Sequence, residues 1–137
     1  MRYPVVIHKD PNSDYGVTVP DIAGCFSAGA TLDEALSEVV EAIEAHLEGM
    51  LIDGEAIPTP QTIEYHQNNP DYADGVWAVV SVDAAKLSGK SKRVNITLPE
   101  RVLNLMDKFA SENGETRSGL ITQATLEYIA SHEGTAE

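Results

Sequence analysis

Residues 92–109 read "KRVNITLPERVLNLMDKF". The first seven alternate polar and apolar side chains, which is the period of a strand with one buried face. Pro99 then stops the alternation and suits the first turn of a helix, because its missing N–H would be unpaired there anyway. Val102, Leu103, Met106, Phe109 and Ala110 follow at helical spacing and form one apolar stripe. "NGE" at 113–115 ends that helix, with Gly114 supplying a left-handed turn. Thr116 is placed to cap a second helix, whose stripe is Leu120, Ile121, Ala124, Tyr128 and Ile129. The segment is therefore strand, helix, helix, followed by a "SHEGTAE" tail expected to fray.

Forty residues with a single amphipathic strand bury too little surface to stand alone, and no disulfide or zinc spacing staples them. Pairing with a second copy is the natural solution. Two "RVNITL" strands can pair antiparallel about a two-fold axis. Alternation then turns Val94, Ile96 and Leu98 toward the helices, and Arg93, Asn95 and Thr97 toward the open face. A two-stranded ribbon fits the DNA major groove, where those three side-chain types can read base edges. An ordinary dimerisation hairpin is the alternative for the same residues.

Outward from this segment the character of the chain changes. The full 137 residues carry a net charge of −13. Residues 1–91 hold 4 Lys/Arg against 15 Asp/Glu, and residues 92–137 hold 5 against 7. An acidic first part repels nucleic acid and attracts a basic partner at long range. "YPVVIHK" is a β-branched strand closed by the turn cluster "DPNSD", and "YGVTVP" returns as its hairpin partner. "GCFSAGA" is a third short strand. "TLDEALSEVVEAIEAHLEGM" is a helix with Leu32, Ala35, Leu36, Val39, Val40, Ile43 and Leu47 on one stripe. Thr31 and Glu34 form its capping box, and Gly49 is expected to stop it. Its other face carries Asp33, Glu34, Glu38, Glu41, Glu44 and Glu48, a solvated surface first and a docking surface second. "IDGEAIPTPQT" and "NNPDYADG" read as loops and "VWAVVSVD" as a buried strand, with Trp77 and Phe26 in the sheet core. The expected fold class is α+β: a β-β-β-α-β domain over 1–87, a linker over 88–91 within "LSGKSK", and the strand–helix–helix domain over 92–137.

"KRVNITLPERVLNLMDKFASENGETRSGLITQATLEYI" resembles the ribbon–helix–helix DNA-binding domain along almost its whole length. The resemblance implies base readout by Arg93, Asn95 and Thr97. It also implies a phosphate clamp at Thr116, Arg117 and Ser118, which suits the free amides and positive dipole end of a helix N-terminus. "YGVTVPDIAGCFSAGATLDEALSEVVEAI" is similar to the HicB family, whose amino-terminal domain is a pared-down ribonuclease H-like fold. This second resemblance implies an antitoxin that binds a small basic HicA-type mRNA-cleaving toxin, and that represses its own operon by binding operator DNA. The implied assembly is a dimer through the ribbon–helix–helix segment, or a tetramer if the first domain also self-associates. The contact residues for the toxin are not identified by the sequence.

Two other functions compete. A ribonuclease H-like nuclease needs carboxylates converging on divalent cations. Asp10, Asp14, Asp21 and Asp83 lie at strand ends or turns, where turn chemistry is the commoner role. A repressor whose first domain senses a small molecule is the other. No cofactor is implied. His8, His46, His66 and His132 lack mutual metal-ligand spacing and read as surface or half-buried residues. The lone Cys25 reads as packing rather than nucleophile. Tyr15, Tyr65 and Tyr72 are candidate interface aromatics. With no signal-like apolar core at the amino terminus and no apolar run of membrane-spanning length, a cytoplasmic protein without membrane contact is expected.

Overall fold

The structure, a computed structural model, describes residues 1–87 and 91–133. They divide into two compact units, one over Arg2–Val82 and the other over Asp83 onward together with Met1. The expected linker falls largely on 88–90, outside the described residues.

The first unit is built on β1 (Arg2–Lys9), β2 (Tyr15–Thr18), β3 (Phe26–Gly29) and β4 (Val76–Ser81). These form one antiparallel sheet in the order β3-β2-β1-β4. The turn cluster between β1 and β2 closes on itself, the Asp10 amide donating to Ser13 Oγ at 3.1 Å and the Ser13 amide to the Asp10 carbonyl at 3.2 Å. Between β2 and β3 the chain folds back so that the Val19 amide reaches the Cys25 carbonyl at 3.0 Å. Gly24 takes φ +76° in that bend, a left-handed conformation that a side chain would strain.

Helix α1 (Leu32–Ile52) packs on one face of this sheet. Thr31 Oγ1 accepts from the Glu34 amide at 3.1 Å, and the Glu34 carboxylate reaches back to the Ala30 amide at 3.2 Å. Its buried positions are Ala35, Val39, Ile43 and Leu47, a strict four-residue spacing. Leu36 and Val40 flank this ridge half-buried, and Leu32 is exposed. Opposite lie Tyr3, Val5 and Val17, and on the other face of the sheet Pro4 and Val6 are buried as well, so β1 is covered on both sides. Each large side chain fully buried there contributes about 1.5–3 kcal/mol. Ser27 Oγ donates to the Ala35 carbonyl at 2.8 Å and draws β3 against the first turns of the helix.

Gly49 does not stop this helix. The chain stays helical to Ile52, and Gly54 at φ +72° takes the terminating position. The Glu55 amide donates to the Met50 carbonyl and the Gly54 amide to that of Leu51, the paired bonds of a Schellman end. A glycine inside a helix costs stability but does not end it unless the chain leaves helical dihedrals. A short helix α2 (Ile63–Gln67) lies between the two expected loops, and a 3₁₀ turn at Pro70–Tyr72 falls within the second of them. Thr62 caps the first by accepting from the Tyr65 amide, and Asn69 caps the second by accepting from the Asp71 amide.

Strand β4 corrects a further expectation. It is an edge strand paired only to β1, and of its residues only Val80 is buried. Apolar content marked it as a strand, but its place in the strand order left Val76 and Val79 exposed. Phe26 is corrected likewise: β3 is the other edge, and Phe26 points to the face away from α1, 69% exposed. Trp77 is half-buried on that same face.

In the second unit a 3₁₀ turn at Ala84–Lys86 precedes α3 (Glu100–Glu112) and α4 (Arg117–Glu133). Gly114, at φ +65°, ends α3 with the same Schellman pairing, Glu115 to Ala110 and Gly114 to Ser111. Helix α4 continues through Ser131, His132 and Glu133, so the first part of the expected tail is helical. Residues 91–99 make no ladder among the described residues. A strand needs a second strand to pair with, and a single copy of this segment offers none.

Candidate functional site

The segment ahead of α3 exposes both of its faces. Arg93, Asn95 and Thr97 are exposed, and so are Val94 (69%) and Ile96 (62%), with only Leu98 partly covered. The helices behind it carry the same open apolar character. On α3, Ala110 is buried while Val102, Leu105 and Phe109 are exposed, and on α4 Tyr128 and Ile129 are exposed. Isolated exposed apolar residues are ordinary, but seven between positions 94 and 129 leave much of the apolar surface of this part open.

The amino end of α4 is built as expected from Thr116, whose Oγ1 accepts the Gly119 amide at 2.9 Å. Ser118 is exposed beside it, and its carbonyl accepts from Thr122 Oγ1. Arg117 has a partner that the sequence did not reveal. Its Nε and Nη2 donate to the two carboxylate oxygens of Asp107 on α3, at 2.9 and 2.8 Å. Those hydrogen bonds, with the guanidinium charge behind them, hold the Asp107 carboxyl below its usual range and lift Arg117 further above its own. Both side chains are well exposed, so the pair orients Arg117 more than it stabilises the unit. Asp83 lies alongside: a Cβ at Gly119 would come within 3.1 Å of its carboxylate, which also accepts the Ala85 amide. The first turn of α4 is thus already bordered by two carboxylates, Asp83 and Asp107.

In the first unit the carboxylates considered for metal chemistry lie apart in different roles. Asp21 Oδ1 accepts both the Gln61 amide at 3.1 Å and His66 Nε2 at 3.0 Å. Asp10 lies in the β1–β2 turn and Asp14 at its far end, both exposed. Among the described residues no three His, Cys, Asp or Glu side chains gather as a metal would require. His66 is buried, where a surface or half-buried residue was expected, and it stacks on Trp77 with ring centroids 6.3 Å apart. Tyr65 meets His66 edge-on, and Tyr72 meets Trp77 edge-on. Tyr65, Tyr72 and Trp77 therefore belong to one cluster, while Tyr15 sits under Lys9 on the β1–β2 hairpin. The sequence carried no sign of the Asp21–His66 pair, since 45 positions separate its members. Cys25 is buried, and burial pushes its thiol up from the ordinary value, away from nucleophilic chemistry.

The family described as "HicB_like antitoxin of bacterial toxin-antitoxin system" matches residues 3–125, spanning both units. The chain belongs to this family. A protein of Haemophilus phage HP1, described as an uncharacterized 14.9 kDa protein in the rep-hol intergenic region, is 43% identical over 96% of this chain and 99% of its own. The crystal structure of the Burkholderia pseudomallei antitoxin HicB matches with a TM-score of 0.77 and 43% identity, over 93% of this chain and 98% of that one. A chain of a HicA3 and HicB3 toxin–antitoxin complex matches with a TM-score of 0.52 and 29% identity, over 61% of this chain and 99% of that one. The mixed α and β architecture, with its four-stranded antiparallel sheet, is that of these HicB antitoxins. Among the described residues no helix is long and apolar enough to cross a membrane.

Proposed function

We propose that this protein is the antitoxin half of a toxin–antitoxin pair and carries its two tasks on separate parts of the chain. The amino-terminal part, 1–87, binds and masks a small, basic, HicA-type toxin that cleaves mRNA. The carboxy-terminal part, 92–137, pairs with a second copy through residues 93–98 and binds the operator of its own operon. In that dimer Val94, Ile96 and Leu98 close over α3 and α4 while Arg93, Asn95 and Thr97 face the major groove. Arg117, with Thr116 and Ser118, holds a backbone phosphate at the start of α4.

The observation that carries the second task is the exposure of Val94 and Ile96 alternating with Arg93, Asn95 and Thr97, ahead of two helices whose stripes are also open. For the first task the support is family membership, the toxin–antitoxin complex among the similar structures, and charge. Between positions 10 and 85 the chain has 15 Asp/Glu and no Lys or Arg. Such a surface favours a basic partner and disfavours nucleic acid. The same acidity accounts for the DNA-reading segment carrying cations of its own.

The test is co-expression with the small basic reading frame beside its gene, followed by co-purification and by titration of the upstream DNA with the full chain. Rescue of growth, a stable complex and specific retardation of that DNA are expected. A full chain that folds yet neither binds nor protects against that product refutes the antitoxin reading. A folded chain that binds specific and scrambled DNA equally refutes the operator reading.

A further inference from the structure

The sheet of the first unit has α1 on one face; the strand register lines up a row of directly opposed residues on the other. Phe26, Thr18, Val6 and Trp77 follow one another across β3, β2, β1 and β4; Phe26 is exposed, Thr18 and Trp77 are half-buried, and Val6 is already buried beside Gly75. At one end Trp77 is braced by His66 and Tyr72, with Tyr65 exposed beside them. Asp21 holds that end rigid, because its Oδ1 ties both the Gln61 amide and His66 to the turn after β2. At the other end Phe26 stands free beside Ala28 and Gly16, which are too small to cover it. Three strand spacings of about 4.8 Å separate the ends, so the row spans roughly 14 Å, the scale of an interface core rather than of a small-molecule cleft. Aromatic residues fixed in place with low remaining entropy are the usual anchors of such cores.

The charge around this face chooses its occupant. Glu64, Asp71 and Asp74 are exposed next to the aromatic end, and Asp10 and Asp14 lie at the β1–β2 turn. Strand β1 carries two cations: Arg2, exposed at the Ser81 end of this same face, and Lys9, which donates to the Asp10 carbonyl and sits over the Tyr15 ring. A second copy of this domain would bring an equally acidic rim against the first, and phosphates would be repelled in the same way. A basic protein gains from both the rim and the apolar centre.

We propose that this face, centred on Phe26 and Tyr65, is where the basic toxin docks. The inference rests on the antitoxin reading and adds the surface to it. Phe26 and Tyr65 supply the exposed apolar anchors and the carboxylates supply steering, so binding is expected to weaken with salt while its specificity stays with the aromatics.

The experiment measures affinity of the full chain for the purified product of the neighbouring basic reading frame, at two salt concentrations, for wild type, Phe26→Ala, Tyr65→Ala and Ile52→Ala. All three replaced side chains are exposed, so thermal melting is expected to be unchanged. Ile52, at the end of α1, is an apolar residue off this face and serves as the control. At least tenfold weaker binding for Phe26→Ala and Tyr65→Ala, with Ile52→Ala unchanged, is the expected result. Tight binding by wild type and equally tight binding by both aromatic variants overturns the surface while leaving the antitoxin reading intact. No binding by wild type overturns the antitoxin reading and this surface with it. A drop in the molar mass of Phe26→Ala without toxin, with toxin affinity unchanged, assigns the face to a second copy and also overturns the proposal.

Discussion

Replacing Ile96 by Ala tests the paired strand at its centre. Ile96 keeps 62% of its surface open in the single chain, so most of its burial remains to be gained on pairing. Full burial of such a side chain contributes about 1.5–3 kcal/mol, which leaves roughly 1–2 kcal/mol per protomer for the interface. Two-fold symmetry counts the loss twice, and Ala recovers little of it. The dimer is then weakened by about 2–3 kcal/mol, or ~30- to 150-fold in dissociation constant. Sedimentation equilibrium of the full chain over a dilution series reads this directly. Asn95→Ala, one position away, is the internal control, because alternation turns it to the other face and dimerisation is expected to be untouched. If Ile96→Ala dimerises as tightly as wild type, or Asn95→Ala dissociates as readily as Ile96→Ala, the paired strand with an inward Ile96 is wrong.

Asn95→Ala is expected to lose about 1–3 kcal/mol of discrimination between operator and scrambled DNA at fixed salt. Arg117→Ala is expected to weaken both DNAs alike and to flatten the salt dependence, and loss of discrimination without loss of affinity would move it out of the phosphate role. Gly29→Ala would place a Cβ 2.5 Å from the Ala35 backbone nitrogen, so β3 and α1 must part by nearly an ångström. Forced overpacking of this kind costs about 1–3 kcal/mol and lowers the melting temperature by several degrees; an unchanged melting curve would contradict the close strand–helix approach. The Cys25 thiol is expected to resist a thiol reagent at neutral pH until the chain unfolds. Burial favours the neutral thiol, so native protein keeps this proton to higher pH than unfolded protein does. The stability linked to it is complete below the ordinary thiol range and falls as pH rises through and above that range. Immediate modification of native protein at pH 7 would show Cys25 to be accessible.

Local chemistry made much of this protein legible in one dimension. The DPNSD turn, the Thr31–Glu34 capping box, the Gly114 helix end and the Thr116 cap all involve groups a few positions apart, and each forms as expected. Helical periodicity likewise picked out α1, including the ridge at Ala35, Val39, Ile43 and Leu47. Gly49 misled because a glycine permits a helix to end without requiring it, and the ending bonds formed at Gly54 instead. What hydropathy could not supply was position in the sheet. Val79 and Phe26 look like core residues in sequence, yet both lie on edge strands and on the face that α1 does not cover. The order β3-β2-β1-β4 comes from which strands meet across long stretches of chain, and no local pattern encodes that. For the same reason the Asp21–His66 tie and the Arg117–Asp107 pair emerged only from the folded chain: contacts between distant positions depend on the path of the backbone. The sequence by itself determined the four strands of the first unit, the three long helices, several of their caps and the family to which the chain belongs. Tertiary structure decided which apolar residues are core and which stay exposed, because burial is a property of three-dimensional neighbours.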